Sequence, residues 1–174
     1  MNIYFAPLEG ITGFVLRNAY ESCFPGTIDR YFVPFIAASC RKKLAARDLR
    51  DVLPKNNTGI CLIPQLLANK GEDFISTAQM LYQFGYRELN LNLGCPSATV
   101  VTKKRGAGLL AEPELLKVFL TECYDWAEGK GIRLSIKTRI GMAEEAEWEK
   151  LFSLYEAFPV SELIIHPRLR EDYY

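Results

Sequence analysis

Cys95 stands between Gly94 and Pro96 in the stretch Asn92-Leu-Gly-Cys-Pro-Ser97, and its thiol is the group best suited to chemistry in this chain. A free thiol with a pKa of about 8.5 is mostly protonated at neutral pH, so it can serve as a general acid without elaborate tuning. The stretch follows a strand-like run, Glu88-Leu-Asn-Leu-Asn-Leu93, and precedes a basic, glycine-containing loop and then a helix. A thiol at the C-terminal end of a parallel strand lies on the face where α/β barrels keep their chemistry. Cys23, Cys61 and Cys123 lack such a setting and are expected to be buried and inert.

Other strand ends carry polar residues that need a reason to be there. Gln65 is an amide in an apolar strand and requires a buried partner or a ligand. Lys137 falls on the opposite side of its strand from Leu134 and Ile136, which suits a lumen-facing cation; the alternative is a lysine reaching to solvent. Asn92 projects on the same face as Asn90 in a period-two strand. His166 is the sole histidine, and by itself such a residue reads as a satisfied structural group.

The elements that position these residues alternate between strands and helices. Ile3 to Leu8, Ile28 to Val33, Ile60 to Leu67, Leu89 to Leu93, Ile132 to Thr138 and Leu163 to His166 read as strands. Thr12 is placed to cap a helix carrying Phe14, Val15, Leu16 and Ala19. Glu72 to Phe84 has helical spacing and stops at Gly85; Pro113 to Trp126 begins with proline in its first turn; Glu144 to Phe158 is amphipathic. Arg41 to Lys55 is mixed and basic and ends in a loop. Six βα-type units with short connections predict a parallel sheet with right-handed crossovers. An open doubly wound sheet and a (β/α)₈ barrel both satisfy that pattern.

Composition narrows the setting. The chain has 174 residues, zero net charge and a 49% hydrophobic content, so it can bury a sizeable core and no global field marks it for nucleic acid. Five cysteines without CxxC spacing fit a reducing compartment better than a disulfide framework or a zinc site. No apolar run approaches the ~20 residues of a membrane span, and the N-terminus enters a strand directly, without the pattern of a signal peptide. A cytoplasmic location is expected, with no membrane partner.

Five segments occur in an order that resembles a known family: Phe5-Ala-Pro-Leu-Glu-Gly-Ile-Thr12 with Arg17, Pro64-Gln65-Leu66, Asn90-Leu-Asn-Leu-Gly-Cys-Pro-Ser97, Ser135-Ile-Lys-Thr-Arg-Ile-Gly141 and Ile164-Ile-His-Pro-Arg168. Together they look like the tRNA-dihydrouridine synthases, and the resemblance covers the whole chain. It implies an FMN-binding TIM (β/α)₈ barrel that reduces the C5=C6 bond of tRNA uridines, with NADPH reloading the flavin. It assigns Cys95 the proton delivered to C5 once hydride has reached C6. It sets Lys137 at the N1/O2 edge of the flavin, where a cation favours the reduced form. Gln65 would bond the pyrimidine edge, His166 would contact FMN, and the backbone of Pro7, Leu8 and Glu9 would lie along the ring. Asn92, and more weakly Arg139, would hold the flavin or an extruded uracil. Lys103, Lys104 and Arg105 could meet tRNA phosphates. Arg41, Lys42 and Lys43 with Arg47 and Arg50 are weaker candidates, because Asp48 and Asp51 interleave them.

The chain also departs from the family pattern. A complete barrel takes ~250 residues, so the expected fold is a barrel truncated after its sixth strand. Strands seven and eight, which hold the FMN phosphate in the family, and the C-terminal helical tRNA-binding domain would be absent. Unpaired sheet edges would then invite self-association. Gly13 stands where many relatives carry Asp. Two other readings stay open: a flavin barrel acting on a small molecule, and a non-catalytic, self-associating half-barrel.

Overall fold

The computed structural model describes residues 1–41 and 43–172. Strands β1 (Tyr4–Phe5), β2 (Arg30–Phe32), β3 (Ile36–Ala37), β4 (Leu62–Ile63), β5 (Gln65–Leu67), β6 (Glu88–Leu93), β7 (Arg133–Gly141) and β8 (Leu163–Leu169) are interleaved with helices. The helices are α1 (Phe14–Cys23), α2 (Ala46–Val52), α3 (Gly71–Gln83), α4 (Ala98–Val101), α5 (Pro113–Glu128) and α6 (Glu147–Glu156). Every strand pairing is parallel, in the orders β1-β2-β4 and β3-β5-β6-β7-β8. The pairs β2/β3 and β4/β5 each form one interrupted path. Pro34 and Pro64 fall at the interruptions, where a residue without an N–H cannot continue the ladder. Six strand positions therefore run side by side in sequence order, as in a barrel wall. The wall is not closed: β1 and β8 are its two edges, and among the described residues neither has a second strand partner.

Strict alternation explains how this wall packs. In β6, Leu89, Leu91 and Leu93 are buried in one apolar cluster with Leu134 and Ile136 of β7 and with Phe74, Ala78, Leu81, Leu116, Phe119 and Leu120 of the covering helices. Each such leucine contributes about 2 kcal/mol through burial. The other face of the same strands is polar, and its side chains bond across the strands in layers. At the N-terminal end, Glu88 accepts hydrogen bonds from Arg30 and Arg133, each at 2.6 Å. Arg30 also meets Glu162 at 3.2 Å, and the Tyr4 hydroxyl donates to Glu162 at 2.6 Å. This network ties residues beside both open edges across the inner face.

Several boundaries differ from the sequence reading for reasons that lie outside the local window. Gly13, not Thr12, is the first cap residue of α1. The Thr12 hydroxyl instead accepts from the Leu8 N–H at 2.7 Å, closing the loop before the helix. The Phe14 N–H is satisfied by the Asp51 carboxylate at 2.8 Å, and a Cβ on Gly13 would sit 3.3 Å from that same oxygen. Arg17 is fully buried and donates to the carbonyls of Thr12 and Asp51 and to the Asn57 side chain, so its role is to knit α1 to the segment after α2. The mixed stretch Arg41 to Lys55 contains α2, which alternation and composition did not reveal. Helix α6 starts at Glu147 rather than Glu144, because the Glu147 carboxylate collects the N–H groups of Met142, Ala143 and Glu144 at 2.8 to 2.9 Å. Cys123 is buried as expected, whereas Cys23 and Cys61 are exposed. No helix among the described residues is long and apolar enough to cross a membrane.

Candidate functional site

The C-terminal ends of the strands enclose a cleft of about 210 Å³, lined by residues from all six strand positions. Pro7, Leu8 and Glu9 follow β1; Gln65 comes from β5; Asn92, Gly94, Cys95 and Pro96 follow from β6; Lys137 and Arg139 come from β7 and His166 from β8. All the residues singled out for cofactor contact, together with Cys95, Asn92 and Arg139, therefore share one cavity. Pro34 and Phe35 complete it and were missed by sequence reasoning. Their signal was available, since Val33-Pro34-Phe35 is the C-terminal end of the second strand path.

The Cys95 loop is held from three sides. Asn92 accepts through Oδ1 from the N–H groups of Gly94 (3.1 Å) and Cys95 (2.9 Å). Arg139, almost fully buried, donates from Nε to the Gly94 carbonyl at 3.1 Å and also to the Leu169 carbonyl. The Cys95 carbonyl accepts from the Ala107 N–H at 3.0 Å. Gly106 closes the third side with φ of +55°, and a Cβ there would lie 2.9 Å from the Cys95 carbonyl oxygen. Only glycine meets both conditions. Burial pushes the Cys95 thiol pKa above its ordinary value, an effect that the Ser97 N–H and Arg139 oppose and Glu9 reinforces. The thiol is therefore protonated at neutral pH.

Lys137 is half-buried, and its pKa is lowered first by that burial and then by Arg139. It has no hydrogen-bond or ion-pair partner among the described residues. His166 is held below its usual pKa by burial and by Arg139, Lys137 and Arg168, which leaves it neutral at pH 7. Gln65 is fully buried and bonded on both ends of its amide: Nε2 donates to Asn90 Oδ1 and Oε1 accepts from Asn92 Nδ2, each at 2.8 Å. One amide hydrogen and one lone pair of Gln65 have no partner among the described residues.

The basic residues do not join this site. Lys104 pairs with Glu112 at 2.6 Å, and Arg105 binds Asp73 and Asn69, each at 3.2 Å. Both are committed to holding the loop, and of the three only Lys103 is exposed without an ion pair among the described residues. Arg47 pairs with Glu9 and Asp48; Arg41, Lys43 and Arg50 are exposed away from the cleft, and Lys42 lies outside the described residues. Among the described residues no cluster of side chains suits a metal ion.

A parallel α/β wall with a thiol, a set of amides and a lysine unpaired among the described residues at its C-terminal face has the architecture of a partial barrel. Residues 4–174 match the dihydrouridine synthase (Dus) family, and the chain belongs to that family. It is 28% identical over 170 residues to a protein of Staphylococcus aureus (strain Mu50 / ATCC 700699) named "Probable tRNA-dihydrouridine synthase", covering 96% of this chain and 49% of that one. A "Probable tRNA-dihydrouridine synthase 2" of Bacillus subtilis (strain 168) is 25% identical over 168 residues, covering 96% of this chain and 50% of the relative. The chain thus spans about half the length of these curated relatives.

Proposed function

We propose that this chain carries the cleft of an FMN-dependent reductase that converts a tRNA uridine to dihydrouridine, with Cys95 protonating C5. The observation that carries the reading is the sharing of one cleft by the protonated Cys95 thiol and Lys137, which has no partner among the described residues. The residues present fit FMN. Lys137 suits the N1/O2 edge, Gln65 keeps one donor and one acceptor for the pyrimidine edge, and Pro7, Leu8, Pro34, Phe35 and Pro96 offer apolar walls to a flat ring. FMN, when bound, would supply the hydride equivalent, with NADPH as the reductant.

The rest falls to the chain's own side chains. The Cys95 thiol gives its proton to C5 of the uracil, and the resulting thiolate is reprotonated from solvent. Burial favours this role, because it keeps the proton on sulfur at physiological pH. Arg139 and Asn92 hold the loop that presents the thiol, and His166 is a neutral partner on the far wall. A uracil reaching the cleft must leave its stack, and from the basic loop Lys103 is the residue left to meet phosphate.

The test is dihydrouridine formation on unmodified tRNA with FMN and NADPH, read by nucleoside mass spectrometry. Cys95→Ala is expected to lower the rate by about 10²- to 10⁴-fold, the usual contribution of a positioned acid, while FMN still binds. In the parent the rate should hold as pH rises past the ordinary thiol value of about 8.5 and fall only above it. Undiminished reduction by Cys95→Ala would sink the assignment.

A further inference from the structure

Four side chains form a single hydrogen-bonded chain that ends on the Cys95 loop. The Ser135 hydroxyl donates to the Leu89 carbonyl at 3.3 Å and accepts from Asn90 Nδ2 at 2.9 Å. Asn90 Oδ1 accepts from Gln65 Nε2, and Gln65 Oε1 accepts from Asn92 Nδ2, both at 2.8 Å. Asn92 Oδ1 then faces the N–H groups of Gly94 and Cys95. Ser135, Asn90 and Gln65 are all fully buried and Asn92 is half-buried, so water is kept from the bonds among the first three.

Both termini of the chain have fixed polarity. The Leu89 carbonyl can only accept, and the N–H groups of Gly94 and Cys95 can only donate. Between them each amide has one orientation that satisfies both neighbours, and reversing any one of them would set N–H against N–H or oxygen against oxygen. An amide of Asn92 turned the other way would point its NH₂ at the two loop N–H groups. The Gly94 and Cys95 N–H groups set the face that Asn92 turns to the loop, and the serine hydroxyl, one strand beyond β6, supplies the acceptor that holds the far end of the relay in that sense.

We propose that Ser135 and Asn90 are positioning residues for Cys95, acting through Gln65 and Asn92. This rests on the proposed role of Cys95 for its meaning in catalysis, but the relay itself is tested without flavin or tRNA. The measurement is the rate of alkylation of each cysteine by iodoacetamide across pH, resolved by peptide mass spectrometry. In Ser135→Ala, Asn90 loses its acceptor, the relay is held from the loop end alone, and Asn92 holds the Cys95 N–H less firmly. Cys95 alkylation is expected to rise about fivefold, the factor corresponding to one net hydrogen bond of ~1 kcal/mol. Exposed Cys23 and buried Cys123 should keep their parent rates, and Ser135→Thr, which retains the hydroxyl, should return Cys95 to within about twofold of the parent, well inside that hydrogen-bond factor. An unchanged Cys95 rate in Ser135→Ala overturns the relay. So does a parallel rise at Cys123, which would mark general loosening, or a failure of Ser135→Thr to restore the rate. If the relay holds while Cys95→Ala still reduces uridine, the catalytic reading alone falls.

Discussion

Charged side chains gather at both ends of the inner strand face, and the two ends treat them in opposite ways. At the N-terminal end Arg30 and Arg133 meet Glu88 and Glu162, so each charge has an opposite within 2.6 to 3.2 Å. At the C-terminal end Lys137, Arg139 and His166 line one cleft with Glu9 as the acidic side chain, and Glu9 is itself turned toward Arg47 at 3.6 Å. Arg139 is accommodated by two backbone carbonyls, while Lys137 has neither carbonyl nor carboxylate as a partner among the described residues. Matched charge holds a wall together. A cation kept half-buried without a match lowers stability and makes sense only where a ligand arrives to complete it.

That contrast predicts opposite responses to removing charge. Glu88→Gln removes the carboxylate that Arg30 and Arg133 share at the N-terminal end and should cost about 1 kcal/mol of unfolding free energy, a buried-pair penalty discounted because Arg30 keeps Glu162 and solvent reaches Arg133. Denaturant unfolding reads it directly, and a loss below about 0.5 kcal/mol, the range of ordinary surface substitutions, would show that the network is ornamental to the fold. Lys137→Met, at the open end, should raise stability at neutral pH by up to about 1 kcal/mol. The sign follows from the lowered pKa: the unfolded chain binds the proton more tightly, so the parent gains stability as pH rises between the folded and unfolded lysine values. The advantage of Lys137→Met should shrink over that same window. A destabilised Lys137→Met would mean that the lysine has a structural role.

Much of this difference was legible in Glu88-Leu-Asn-Leu-Asn-Leu93. Parallel strands buried on both faces usually read as continuous apolar runs, so strict alternation in a parallel strand announces a polar inner face. The same alternation placed Lys137 opposite Leu134 and Ile136, and the family resemblance carried by the strand ends gathered Cys95, Gln65 and His166 before any contact was known. What stayed hidden depends on partners distant in the chain. Asp51 caps α1 from another helix, Glu147 delays the start of α6, and Asp73 and Glu112 take up Arg105 and Lys104. A run of basic residues looks the same whether its charges face phosphate or are spent on carboxylates folded against them. Gln65 carries the same lesson: sequence reasoning asked whether it had a buried partner or a ligand, and the structure supplies the partners while leaving part of the amide over.

The central claim, that the open end is built around an anionic edge of a flavin, is tested most directly by titrating FMN and following its fluorescence. The account predicts saturable binding to the parent chain, unchanged binding to Glu88→Gln at a temperature where it is folded, and affinity at least about tenfold weaker in Lys137→Met, the scale of one charge-assisted hydrogen bond. Equal weakening in both variants, or Lys137→Met binding as tightly as the parent, would contradict it.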